Sequence, residues 1–208
     1  ADRAWQCLVK LALEPAHEAT FHERSYGFRP GRSTHDAQKF LFNHLKSTSN
    51  GKDKRVIELD IEKCFDRINH QTILDKAMAP KWVKDRLRQC LNAGIHPDYP
   101  EQGTPQGGVI SPRLANIALN GIESIHTSVR YADDMVFILK PQDDAEQIQK
   151  QVELFLSERG MNISQKKTRV TATQTGFDFL GWHCKVRDNG KFMSTPSKEN
   201  YKKVKKKI

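Results

Sequence analysis

Residues 129–139 read Val-Arg-Tyr-Ala-Asp-Asp-Met-Val-Phe-Ile-Leu. Two apolar strands, over 129–132 and 135–139, meet there at adjacent aspartates. A two-residue hairpin tip ordinarily takes Asn-Gly or Asp-Gly, because its central residues need positive φ. Asp133-Asp134 instead sets two carboxylates side by side, and their repulsion asks for a cation. Phosphoryl transfer assisted by two divalent ions needs clustered carboxylates on a rigid element, which such a hairpin supplies. Taken alone, an Asp-Asp pair is more often a solvated acidic turn, so the reading requires a third carboxylate.

Asp60 is that group. It closes an apolar stretch at 55–61, with Val56, Ile57, Leu59 and Ile61, that reads as a strand. If this strand pairs beside the hairpin, Asp60 and Asp133 can clamp the same two Mg²⁺ ions. Phe65, five residues on, can pack beneath a sugar and exclude a 2′-hydroxyl; an isolated phenylalanine is otherwise a core residue.

Outward from these strands the pattern is mixed. Residues 5–13 predict a helix with Trp5, Leu8, Val9 and Ala12 on one face. A turn-rich stretch at 25–32 precedes a second helix, capped by Ser33 or Thr34, with Ala37, Phe40, Leu41 and Leu45 inward. Asn50-Gly51 marks a turn. Short helices fill 71–92 and Gly94 ends the last, then residues 103–108 form a loop. Ser111-Pro112 opens another helix as N-cap and first-turn proline, with Leu114, Ile117, Ala118 and Ile122 facing a core. Asp143 or Asp144 caps a helix carrying Ala145, Ile148, Val152, Phe155 and Leu156, ended by Gly160. Strands follow at 168–173, 176–183 and 191–193. This order predicts an α+β fold built on an antiparallel sheet with packed helices.

The 208 residues suffice for one catalytic domain with subdomains. Hydrophobic content of 37% against 28% charged residues fits a globular protein and not a disordered chain. Neither a membrane-length apolar run nor a signal-peptide pattern occurs, and Ala1 opening inside a helix suggests that sequence precedes it. Net charge is +9, from 34 Lys and Arg against 25 Asp and Glu, which favours a polyanionic partner such as nucleic acid. Cys7, Cys64, Cys90 and Cys184 are far apart, which argues against a zinc or disulfide framework and for a reducing interior. The eight histidines lack metal-ligand spacing. In the tail, residues 198–208, six of eleven residues are lysine, either a solvated helix face or a contact for a nucleic-acid backbone.

Tyr131-Ala132-Asp133-Asp134 resembles the Y-x-D-D box of reverse transcriptases, and the strand ending in Asp60 resembles their first palm carboxylate motif. Three further blocks keep the family's order: SYGFRPGRSTHDA at 25–37, GTPQGGVISPRLANIALN at 103–120 and FLGW at 179–182. Together the five blocks span nearly the whole chain and resemble group II intron-encoded reverse transcriptases. The resemblance implies a polymerase palm with part of the fingers: residues 1–55 partial fingers, 56–195 palm, 196–208 a basic segment leading to a thumb.

The same resemblance implies roles. Asp60, Asp133 and Asp134 match the catalytic carboxylates, Asp134 the least direct ligand, and with Ile61 they make the implied set for two Mg²⁺ ions (Mn²⁺ as substitute). Phe65 matches the steric gate that selects deoxynucleotides. Gln106 matches the glutamine beside the incoming nucleotide. Arg29 and Arg32 fall in a block near the template and incoming nucleotide. Lys167 matches a lysine that protonates the leaving pyrophosphate, and Phe179, Leu180, Gly181 and Trp182 resemble the primer grip. Implied partners are an intron RNA, an RNA template with DNA primer, deoxynucleotides and a DNA target, with no membrane. The implied setting is the bacterial cytoplasm or an organelle.

Two other readings stand beside this one: an RNA-binding splicing scaffold that does not polymerise, whose mark would be lost carboxylates, and a retron or defence reverse transcriptase. The blocks at 25–33 and 103–112 tilt toward the intron lineage. One departure is the link at 121–128, where family members usually carry a longer polar excursion.

Overall fold

The computed structural model describes residues 2–93, 101–104 and 107–206. The chain opens with α1 (Asp2–Glu18), passes through the turn-rich block and enters α2 (Thr34–Leu45). The start of α2 is closed by Asp36, whose carboxylate accepts from the Ser33 amide at 2.7 Å and the Ser33 hydroxyl at 2.8 Å. Then come β1 (Arg55–Leu59), α3 (Cys64–Arg67), α4 (His70–Lys76), α5 (Lys81–Ala93) and α6 (Ser111–Leu119). The hairpin is β2 (Ser128–Tyr131) and β3 (Asp134–Leu139), followed by α7 (Ala145–Ser157). Asp144, and not Asp143, caps α7, accepting from the amides of Glu146 and Gln147. The remainder is β4 (Arg169–Ala172), β5 (Phe177–Phe179), β6 (Trp182–Val186), β7 (Phe192–Pro196) and α8 (Lys198–Lys205).

Two antiparallel sheets result, one in the order β2-β3-β1-β4 and one in the order β5-β6-β7. In the larger sheet β1 lies between β3 and β4, in register Ile57↔Phe137 and Leu59↔Met135 with β3. Side chains alternate across a strand, and here both faces are covered. Ile57, Leu59, Met135, Phe137 and Leu139 pack with α1, α4, α5, α6 and α7 in one core. Val56, Val129, Val136 and Ile138 pack with α2 and the smaller sheet in another. The uninterrupted run Met-Val-Phe-Ile-Leu is what a strand buried on two faces demands.

Three local expectations change. The strand expected over 55–61 stops at Leu59, leaving Asp60 and Ile61 free of the ladder. The helix expected to be capped by Ser111 begins at that residue, with Ile110 as its cap. Residues 176–183 are not one strand but a hairpin, because Leu180 and Gly181 both adopt positive φ, 51° and 79°. Residues 121–128 form a short 3-10 turn over Ile122–Ser124 that feeds directly into β2. No helix among the described residues is long and apolar enough to cross a membrane.

Phe137 has no exposed surface at the centre of the larger core. Truncation to alanine removes its contacts and leaves a cavity that rigid neighbours cannot close. Phe137→Ala is expected to cost roughly 3–5 kcal/mol of unfolding free energy, read from the midpoint shift in urea titrations.

Candidate active site

The carboxylates are brought together by the β1–β3 register. One step beyond Leu59↔Met135, Asp60 leaves β1 against the turn that joins β2 to β3. Ala132 and Asp133 form that turn, and of the two only Ala132 has positive φ, 59°. Asp60 and Asp133 line one cavity of about 630 Å³, together with Ile61, Phe65, Gly107, Pro112 and Lys167. Lys167 reaches Asp60 with Nζ 3.2 Å from Oδ2. The cavity floor is pinned from below: Ser164 donates its amide to the Asp60 carbonyl and Glu62 donates to the Asn162 carbonyl, 2.8 and 2.9 Å. Those two bonds flank Ile61 without using its carbonyl, so that oxygen remains a possible donor to a cation. Phe65 packs against the large core, and its carbonyl accepts from the Thr104 amide at 2.7 Å.

Beneath the turn lies a polar network that the sequence reading did not find. Arg130 has no exposed surface. Its Nε donates to Glu123 Oε1 at 2.6 Å, Nη1 to Asn116 Oδ1 and to the Ala132 carbonyl at 2.9 Å each, and Nη2 to Ser25 Oγ at 2.8 Å. Asn116 in turn donates to the Gly27 carbonyl at 2.8 Å. Gly27 lies so close to the turn that a Cβ there would stand 2.3 Å from the Ala132 nitrogen. The block at 25–31 is therefore a brace against the back of the carboxylate turn. A visible signal existed: an arginine inside an otherwise apolar strand, with a glutamate in the short preceding link.

Other expected site residues lie elsewhere. Arg29 is held among neighbouring elements. Its side chain is 3% exposed, pairs with Glu18 at 2.8 Å, and donates to the carbonyls of His22 and Ser25. Glu18 also holds Arg113, so Arg29 belongs to a lock between α1, the 25–31 block and α6, and it lines a second, smaller cavity that shares Pro112 with the carboxylate cavity. Arg32 donates to the Glu23 carbonyl and lies over the Tyr26 ring, away from the carboxylates. Phe179 is buried in the smaller core, paired across the hairpin with Trp182, while Leu180 and Gly181 form its tip. The Gly181 carbonyl accepts from Ser197 and Asn200, tying the start of α8 to that tip. Gln106 lies outside the described residues.

The tip is electrostatically loaded. Asp134, which keeps solvent on one side, has its carboxyl pushed up to about 6 by partial burial and by the negative charges of Asp133 and Asp60. Cys64, beneath the cavity, has its thiol pushed up to about 12 by burial and by Asp133, so it is inert as a nucleophile. Among the described residues no three His, Cys, Asp or Glu side chains form a ready-made metal cluster. Two hard carboxylates, a free carbonyl and an open cavity nevertheless fit Mg²⁺, which is usually held by one or two carboxylates plus substrate phosphates and not by an all-protein cage.

The family described as reverse transcriptase (RNA-dependent DNA polymerase) matches residues 1–184. Maturase-like protein 1 of Euglena gracilis is 34% identical over 203 residues, covering 97% of this chain and 44% of the relative. Group II intron-encoded protein LtrA of Lactococcus lactis subsp. cremoris is 26% identical over 268 residues, covering 91% of this chain and 44% of LtrA. This chain thus spans about half the length of the curated relatives it matches. Apo telomerase from Candida tropicalis, truncated from its C-terminal domain, superposes with a TM-score of 0.65 at 14% identity, over 94% of this chain and 45% of that one. That likeness is one of fold, a polymerase palm.

Two outcomes follow from the packing and charge at the turn. Gly27→Ala forces a Cβ into the Ala132 backbone and is expected to cost roughly 1–3 kcal/mol in denaturant titrations, an overpacking penalty. Asp134 has a raised carboxyl pKa, so the folded state holds its proton more tightly than the unfolded state does. Its contribution therefore favours folding at low pH, falls as pH rises from the ordinary 3.8 toward about 6, and is an undiminished penalty above that. Asp134→Asn is expected to raise the melting temperature by a few degrees at pH 7 in chelator, and the gain should vanish near pH 4 in paired thermal scans.

Proposed function

The chain belongs to the reverse transcriptase (RNA-dependent DNA polymerase) family, and we propose that it synthesises DNA on an RNA template as the core of a group II intron-encoded protein. The observation that carries this reading is the convergence of Asp60 and Asp133, with Phe65 and Lys167, on one open cavity at the end of β1 and the β2–β3 turn. A folded scaffold has no need to crowd like charges there against their own repulsion.

In the proposed reaction the primer 3′-oxygen attacks the α-phosphorus of a deoxynucleotide and pyrophosphate leaves. Two Mg²⁺ ions, when bound, supply the charge that stabilises the attacking and leaving oxygens. Asp60 and Asp133 hold that charge in place, with the Ile61 carbonyl as a further donor and Asp134 as the outermost carboxylate. Phe65 stands against the sugar and disfavours a 2′-hydroxyl. Lys167, now on Asp60 and largely exposed, is the proton donor to the departing pyrophosphate. Gln106 flanks the incoming base, and the hairpin tip at Leu180–Gly181 supports the primer. Positioning and fixed charge carry most of the rate, as phosphoryl transfer requires.

Residues 1–55 then serve as part of the fingers, 56–195 as palm, and 196–208 as the basic approach to a thumb. Binding to the intron RNA, a maturase role in its splicing and retromobility into a DNA target complete the proposal, in a bacterial cytoplasm or an organelle. Surplus basic charge suits recognition of RNA by its backbone and shape. The retron or defence alternative shares the same chemistry and differs in the RNA bound.

Primer extension on an RNA template with Mg²⁺ and deoxynucleotides tests the reading, using the full-length parent beside its Asp133→Ala variant. Extension by the parent and none by the variant is expected. A parent that folds and binds RNA yet yields no product would leave the splicing scaffold as the better account.

A further inference from the structure

Glu58 stands where an apolar residue would be expected. It is 9% exposed within β1, among Val56, Ile57 and Leu59. A buried carboxylate costs free energy unless donors surround it, and four do. Arg169, directly opposite on β4, donates Nε to Oε1 at 2.6 Å and Nη2 to Oε2 at 2.8 Å. Thr171 Oγ1 donates to Oε1 at 3.0 Å, and the Asp178 amide donates to Oε2 at 3.2 Å. The Arg169 side chain is 62% exposed, and an ion pair with a partner so open to water contributes little to stability. What separates Glu58 from an ordinary cross-strand pair is the bond to Asp178.

That bond joins the two sheets. Glu58 is paired on both sides, with Val136 of β3 and Arg169 of β4, so the backbone of β1 offers no edge to β5. β5 is itself an outer strand of the smaller sheet, and the Glu58 carboxylate supplies the acceptor that its Asp178 amide needs. The Val186 amide donates to the Thr173 carbonyl at 2.9 Å and fastens the end of the β5–β6 hairpin farthest from its tip. Glu58 fastens the near end, at a residue two positions before Leu180. Glu58 also lies two positions before Asp60, roughly 7 Å of extended chain. One side chain thus connects the hairpin tip to the strand that delivers a carboxylate to the cavity. The start of α8 holds the same tip from its other side, through the Gly181 carbonyl.

We propose that Glu58 is a positioning residue for DNA synthesis: through the Asp178 amide it sets where the Leu180–Gly181 tip stands relative to Asp60, and so where the primer 3′-oxygen is held. It acts without touching substrate or metal. A carboxylate suits the place because its two oxygens accept from all four donors, whereas a carboxamide has one acceptor oxygen and brings two donors of its own. This inference rests on the polymerase reading and on primer support by that tip.

The test is made in the full-length parent and compares Asp178→Pro, which deletes the amide, with Asp178→Ala, which keeps it. Proline is tolerated on an outer strand where the missing amide points out of the ladder, and thermal scans choose a temperature at which the variants are folded. Single-turnover extension of a saturating primer–template is expected to be on the order of 100-fold slower in Asp178→Pro than in Asp178→Ala, the loss that a misplacement of about 1 Å produces. The deoxynucleotide dissociation constant should be the same in both, because the cavity itself is intact. Glu58→Gln, close to isosteric, should be slowed in the same way, and it decides alone if Asp178→Pro does not fold. Equal rates in the folded Asp178 variants, or a parent-like rate in Glu58→Gln, would overturn the proposal. So would a parallel loss of rate and nucleotide affinity, the mark of general loosening. A parent that extends no primer would sink the polymerase reading instead. In that case 2-aminopurine at the primer 3′ terminus still tests the joint: a signal that differs between Asp178→Pro and Asp178→Ala upholds it, and identical signals overturn it.

Discussion

A guanidinium with no exposed surface must find a partner for nearly every donor it carries, since leaving a buried charge unmatched costs several kcal/mol. Arg130 meets that demand with Glu123, Asn116, Ser25 and the carbonyl of Ala132. Each partner comes from a different part of the chain: the link before β2, helix α6, the turn-rich block and the carboxylate turn itself. The requirement that these four converge fixes how the block, the helix and the hairpin sit relative to one another. A hydrophobic residue in place of Arg130 could fill the volume but could not specify that convergence.

The short link before β2 acquires a purpose in this frame. Residues 121–128 are compact because Glu123 must reach inward to Arg130, where it too has no exposed surface. Gly121 makes the reversal possible with φ 105° and donates its amide to the other Glu123 oxygen at 3.2 Å. A longer polar excursion could be accommodated only by looping outward around this pair. The link therefore belongs to the foundation of the active site as much as to the connection between α6 and β2.

Much of this was legible in the order of residues. The run Met135–Leu139 announced a strand buried on both faces, and Asp60 with Asp133 announced carboxylates crowded at one cavity, because apolar periodicity and like-charge crowding are local properties. Ser33, Asp144 and the Asn50-Gly51 turn were readable for the same reason. The contacts of Arg29 were not. Whether an arginine faces a nucleotide or a glutamate eleven residues away depends on where α1 ends, and Glu18 was not within reach of any pattern in the block itself. The hairpin at Leu180–Gly181 was missed because a leucine does not advertise positive φ, and only pairing of Phe179 with Trp182 reveals it. The Arg130 network was hidden because it joins residues up to 105 positions apart.

Backbone strain shows how the two halves of the argument connect. Among the described residues, three non-glycine residues with positive φ lie around the site: Phe28 beside the brace, Lys63 at the start of α3 and Ala132 in the turn. Each left-handed residue costs on the order of 1–2 kcal/mol, and glycine at any of them would relieve the cost while loosening the backbone. That side chains persist there means the surroundings dictate the conformation, which the Arg130 bond to the Ala132 carbonyl and the Gly27 contact do directly. A turn held this way keeps Asp60, Asp133 and Asp134 close, and burial first, then the charges of Asp133 and Asp60, raise the Asp134 carboxyl. Under the proposed function a divalent cation would meet carboxylates already in place, and relief of that repulsion would add to its binding without reorganisation of the protein.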